Sequence, residues 1–119
     1  MARVLIADDA MFMRESIKKM LLANGHEVAG ESEDGKETIE KFMECKPDLV
    51  ILDITMPGMN GIDVLKYIME LDAEARVIIC SAIGQTEVIA KAIQLGAKDF
   101  IVKPFGEEQM IGAIEKVMK

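Results

Sequence analysis

Three acids, a hydroxyl and an amine follow short apolar runs: Asp8 and Asp9 after VLIA, Asp53 after LVIL, Ser81 after VIIC and Lys103 after FIV. A carboxylate at the edge of a core is costly unless something compensates it. If the chain brings these ends together, three carboxylates share a small volume, and like charges so placed resist joint ionisation. A divalent cation is the natural remedy. One dication and the Lys103 ammonium balance three carboxylates to near neutrality. Oxygen ligands with no His or Cys among them favour a hard ion such as Mg²⁺, which keeps waters and binds through few protein carboxylates. A carboxylate nucleophile with a metal, an ammonium and a hydroxyl around it is what phosphoryl transfer to an aspartate requires. On this reading Asp53 is the nucleophile.

Such a meeting needs a scaffold that ends its strands on one edge. Four apolar runs, Val4–Ala7, Leu49–Leu52, Val77–Cys80 and Phe100–Val102, are continuous rather than alternating, which predicts strands covered on both faces. Glu27 to Gly30 is a weaker strand, expected at an edge. Between them lie segments of helical spacing, with Met13, Ile17, Met20 and Leu21 on one face of the first. Ile39, Phe42 and Met43 share a face of the second, and Ile62, Leu65, Ile68 and Met69 a face of the third. Glu87 to Leu95 and Glu107 to Met118 form the fourth and fifth. Asp34 with Glu37, and Asn60 with Asp63, have capping-box spacing, Gly25 and Gly96 stand where helices end, and Glu107 and Glu108 suit a helix N-terminus. Strand and helix thus alternate five times, predicting an α/β fold: a doubly wound parallel sheet with helices on both faces. In such sheets ligands bind at the carboxyl ends of the strands, where Asp8, Asp9, Asp53, Ser81 and Lys103 all fall.

Composition limits the alternatives. The 119 residues fit one domain, spanning 1–119, and half of them are hydrophobic. Four Phe, one Tyr and no Trp leave ten Met and the aliphatics to fill the interior, with Met56 and Met59 packing the loop beside the site. A net charge of −7 without a basic cluster argues against nucleic-acid binding. No apolar run approaches the roughly 20 residues of a membrane span, nor is there a signal peptide, so the expected location is the cytoplasm. Cys45 and Cys80 lack metal-ligand spacing and read as reduced thiols used as small hydrophobes. His26, in an NGHE turn, reads as an exposed loop residue.

Four motifs, VLIADDA at 4–10, LVILDITMPGMNG at 49–61, CSAIG at 80–84 and FIVKPF at 100–105, resemble those of response-regulator receiver domains, and the likeness extends along essentially the whole chain. It is closest to the stand-alone chemotaxis regulators. The flavodoxin-like strand order 2-1-3-4-5 is that of this family itself and is implied by the resemblance, not read from the pattern. The resemblance also implies that Asp53 accepts a phosphoryl group from a histidine kinase of the CheA type. Asp9, Asp53 and the Thr55 carbonyl would ligate Mg²⁺, with Asp8 acting through water. Lys103 would contact phosphoryl oxygens, aimed by a cis bond to Pro104. Ser81 would hydrogen-bond the phosphoryl group while Phe100 turns inward, a local charge event biasing a bistable element. The readout would be the surface of helix 4, strand 5 and helix 5, offered by a monomer to a flagellar motor switch protein or a chemotaxis phosphatase. Phe100 stands where enteric chemotaxis proteins carry Tyr, and Ser81 where Thr is commoner, so an enteric-type partner does not follow.

Each residue has a plainer reading. An isolated Asp8–Asp9 pair would cap a helix, Ser81 would be a structural hydroxyl, and Phe100 a half-buried strand aromatic. Convergence with Lys103 is what favours the metal site. On the fourth helix Val88, Ala92 and Leu95 form one stripe and Ile89 with Ile93 another, and a core needs only one. The chain ends with its fifth helix, so output is expected in trans, from a switch that catalyses only its own phosphorylation and autodephosphorylation. Two rivals keep the aspartyl chemistry: a relay passing the phosphoryl group to a histidine phosphotransferase, and a haloacid-dehalogenase-type phosphohydrolase, whose motif also allows Asp53–Ile54–Thr55.

Overall fold

The computed structural model describes residues 1–58 and 60–119; the expected packing of Met59 lies outside the described residues. Strands β1 (Arg3–Ala7), β2 (Glu27–Ser32), β3 (Leu49–Asp53), β4 (Val77–Ser81) and β5 (Asp99–Val102) alternate with helices α1 (Met11–Ala23), α2 (Gly35–Cys45), α3 (Gly61–Leu71), α4 (Thr86–Gln94) and α5 (Glu107–Val117). All pairings are parallel, in the order β2-β1-β3-β4-β5. The fold expected from the sequence is therefore the one observed.

The continuous apolar runs are explained by two cores, one on each face of the sheet. Leu5, Val50, Leu52, Val77 and Ile79 point to one side, where Ile39 of α2, Leu65 and Ile68 of α3 and Ala92 of α4 cover them. Their neighbours Val4, Ile6, Ile51, Ile78 and Cys80 point to the other, under Ile17 and Leu21 of α1 and Met110 and Ile114 of α5. Period-two alternation in a strand with two buried faces gives a run with no polar interruption. The strand β2 has one neighbour only, and its burial is correspondingly partial. It runs two residues past the expected Gly30, to Ser32, because the amide of Asp8 donates to the Ser32 carbonyl and keeps the ladder closed.

The caps match expectation in part. Asp34 accepts from the Glu37 amide, but the Glu37 carboxylate accepts from Glu33, one residue before the cap. Asn60 accepts from Ile62, while Asp63 contributes only its charge to the first turn of α3. Gly96 follows α4 with φ of 117°, a left-handed conformation that favours glycine. No helix among the described residues is long and apolar enough to cross a membrane.

Two expectations are corrected. Met43 is exposed, because α2 presents Ile39 and Phe42 to the core and turns Met43 past the edge of that stripe. His26 is buried, since its Nδ1 accepts from the Ala2 amide at 3.0 Å and its own amide donates to Leu21 at the end of α1. That places the imidazole proton on Nε2, which is buried and without a hydrogen-bond partner among the described residues.

Gly61, the first residue of α3, ties this fold to the site. A Cβ there would lie 2.5 Å from the Ile54 Cα and 2.6 Å from its carbonyl oxygen, and backbone cannot step aside as a side chain can. Gly61→Ala is expected to lose about 3 kcal/mol by overpacking. Thermal unfolding should show a midpoint about 10 °C lower. A variant melting with the wild type would refute the close approach.

Candidate phosphoryl-acceptor site

The carboxyl ends of β1, β3, β4 and β5 meet at one edge. Asp8 and Asp53 are buried there, 1% and 2% exposed, whereas Asp9 faces solvent. Carboxylate oxygens of Asp8, Asp9 and Asp53 lie within 4.8 Å of one another. The Lys103 ammonium bridges two of them, donating to Asp8 Oδ2 at 2.9 Å and to Asp53 Oδ2 at 3.3 Å. Burial works against its charge, but the hydrogen bond to Asp8 and the fields of Asp53 and Asp8 outweigh it, so Lys103 is held above the ordinary lysine range.

Local structure explains how each group is held. Asp8 Oδ1 accepts from the Ala10 amide at 2.9 Å, an Asx turn that carries the chain from β1 into α1. Asp53 is the last residue of β3, paired with Cys80, and its Oδ1 accepts from both the amide and the hydroxyl of Thr55, at 3.0 and 2.9 Å. The family resemblance implicates only the Thr55 carbonyl, whereas here the hydroxyl also reaches Asp53. An Asp-x-Thr spacing at a strand-to-turn junction is the signal that could have found it. Lys103 lies just past β5, where its amide donates to the Ser81 carbonyl and its peptide bond to Pro104 is cis.

Ser81 ends β4 and is 1% exposed. Its hydroxyl oxygen has no hydrogen-bond partner among the described residues. Most buried polar atoms do have one, so this hydroxyl is free to donate to a group placed beside it. The following loop is closed by Gln85, whose side chain accepts from the Ala82 amide at 2.6 Å. Phe100, on β5, is 43% exposed and lines the groove between β5 and α5. Cys80 adds no second nucleophile, because burial pushes its thiol up to about 12.

Of the sequence-derived residues, then, Asp8, Asp9, Asp53 and Lys103 come together, Thr55 and Ser81 join them, and Phe100 lies on β5 at the groove beside α5. One residue had been missed entirely. Arg14, the fourth residue of α1, donates to the Asp8 carbonyl at 2.7 Å.

The receiver-domain pattern covers this whole arrangement: residues 4–115 match the response regulator receiver domain. The chain belongs to that family. Its receiver fold is 54% identical over 117 residues to the chemotaxis protein CheY of Thermotoga maritima, covering 98% of both chains. The CheY of Bacillus subtilis is also 54% identical, over 116 residues, with 98% of this receiver and 97% of that protein covered. Among solved structures, the CheX–CheY–BeF₃–Mg²⁺ complex of Borrelia burgdorferi contains a chain that superposes with a TM-score of 0.94 at 36% identity, over 98% of this chain and 89% of the other.

Proposed function

We propose that this receiver domain is a chemotaxis response regulator of the CheY type, spanning residues 1–119 and acting in the cytoplasm. Asp53 accepts a phosphoryl group from the phosphohistidine of a CheA-type kinase. The observation that carries this reading is the Lys103 ammonium shared between two buried carboxylates, with a third carboxylate within 4.8 Å. An all-oxygen donor set of this charge fits Mg²⁺, with Asp9, Asp53 and the Thr55 carbonyl as ligands and Asp8 acting through water. When bound, the metal supplies positive charge against the phosphoryl oxygens.

The chain's own residues divide the remaining work. An Asp53 carboxylate oxygen attacks phosphorus as the P–N bond to the donor imidazole breaks, and the imidazole leaves with the electron pair. Lys103, freed from sharing two carboxylates, turns its donors to the transferred oxygens. The unpartnered Ser81 hydroxyl then gains an acceptor and draws the β4–α4 loop inward. Phe100 turns from solvent into the space vacated, altering the face built by α4, β5 and α5. That face already offers Ile93, 43% exposed, and a groove of about 410 Å³ between β5 and α5. The stripe of Val88, Ala92 and Leu95 packs inward, so Ile93 is surplus to the core. Moving such a switch from mostly inactive to mostly active takes about 5.5 kcal/mol of differential stabilisation.

The partner of the phosphorylated form is a flagellar motor switch protein or a chemotaxis phosphatase. Beryllofluoride with Mg²⁺ imitates the aspartyl phosphate, so affinity for one of these purified partners should rise at least tenfold when both are added. Equal affinity with and without the mimic, for both partners, would contradict the switch. Label passing from Asp53 to a phosphotransferase histidine would instead support the relay.

A further inference from the structure

We propose that Arg14 is a positioning residue for the metal site, acting on Asp9 through the peptide plane that Asp8 and Asp9 share. This rests on the metal-binding reading above. Asp8 is fixed at every polar group. Its amide donates to Ser32, its Oδ1 accepts from Ala10 and its Oδ2 from Lys103. Its carbonyl accepts from Arg14 Nη1 at 2.7 Å. Asp9 is the opposite case: it is exposed, although its carboxylate lies within 4.8 Å of those of Asp8 and Asp53. The plane of the preceding peptide, whose oxygen Arg14 holds, fixes the N–Cα bond from which the Asp9 side chain starts.

Arg14 is itself anchored. Its Nε lies 3.3 Å from Glu31 Oε1 on β2, and its side chain is only 13% exposed. Lys18, one turn further along α1, holds the other Glu31 oxygen at 2.7 Å. The hydrogen bond from Lys18 outweighs the burial of Glu31 and keeps that carboxyl below its ordinary range, so the anchor stays charged. A planar guanidinium can hold a carboxylate and a carbonyl at fixed angles together, which a lysine ammonium on a flexible stem does less well. Groups that orient metal ligands typically contribute about 10–100-fold to metal affinity.

Charge and positioning predict opposite signs, which makes the role testable. A guanidinium acting by charge alone repels a dication, so its removal would tighten Mg²⁺ binding. Positioning predicts the reverse. Mg²⁺ titrated calorimetrically into wild type, Arg14→Ala, Arg14→Lys and Glu31→Gln should show affinity about tenfold weaker in Arg14→Ala. Arg14→Lys should recover part of that loss, and Glu31→Gln should lose a few-fold, with Lys19→Ala as an unaffected control. In the metal-free protein, Arg14→Ala should shift the Asp9 amide resonance and leave that of Asp53 in place, a change that general loss of stability would not confine to one loop. Unchanged or tighter Mg²⁺ binding in Arg14→Ala overturns the proposal, and if that variant does not fold, unchanged binding in Arg14→Lys and Glu31→Gln does so. Wild type that binds no Mg²⁺ removes the metal reading itself and this inference with it.

Discussion

Asp53→Asn is expected to take up no phosphoryl group from acetyl phosphate or from a kinase, a complete loss rather than a slowing. An amide oxygen is too weak a nucleophile to form the acyl phosphate, and neither Asp8 nor Cys80 is placed to substitute. Asp8 is held by Ala10 and Lys103, and the Cys80 thiol stays protonated at neutral pH. The same change should act on stability in the other direction. Removing one of three clustered carboxylates relieves repulsion in the metal-free protein by about 1 kcal/mol at low salt, less as salt screens it. Affinity for Mg²⁺ should fall, because a charged ligand is gone. Radiolabelled phosphodonor and thermal unfolding with and without Mg²⁺ check both halves. Equal labelling of the variant and the wild type would refute the assignment of Asp53.

Lys103→Met should separate metal binding from phosphoryl transfer. The ammonium is the group that bridges Asp8 and Asp53, so a methionine of similar length leaves two buried carboxylates without that counter-charge. Breaking a fully buried ion pair costs about 3–5 kcal/mol. Lys103 keeps a quarter of its side-chain exposure, so about 2 kcal/mol is expected here. Mg²⁺ should offset more of this loss in the variant than it adds to wild type, since the dication becomes the only cation among the acids. Phosphorylation should nevertheless fall by at least about 100-fold, as charge on the transferred group loses a donor that metal alone does not replace. Calorimetric unfolding across a Mg²⁺ series, set beside phosphorylation rates, tests this pair of opposed effects. Parallel changes in binding and transfer would contradict it.

What could be read from the residues, and what could not, follows from the range of the forces involved. The strands were legible because burial on both faces leaves a run such as Leu49–Leu52 with no polar position. The site edge was legible because parallel strands finish at one side, so Asp8, Asp53, Ser81 and Lys103 had to be neighbours once the order β1-β3-β4-β5 was given. That order itself came from family likeness. His26 was misread because its burial depends on an acceptor role towards Ala2, 24 residues away, which no local pattern encodes. Met43 was misread because one position on a helix wheel separates the core stripe from solvent. Arg14 escaped notice because its value lies in reaching back to a main-chain oxygen, and carbonyls carry no sequence signature. The hydroxyl of Thr55 was overlooked for a related reason: the turn after β3 folds the side chain onto Asp53, and only the folded turn reveals it.

Intact-mass measurement of the wild-type protein incubated with acetyl phosphate gives the most direct trial of the central claim, that acids from two strands and the Lys103 amine make Asp53 a metal-assisted phosphoryl acceptor. With Mg²⁺ the protein should gain the mass of one phosphoryl group, trapped at Asp53 by borohydride reduction and peptide mapping, and with chelator it should gain none. A mass that stays constant at saturating Mg²⁺, or a modification that maps to another residue, would contradict the account.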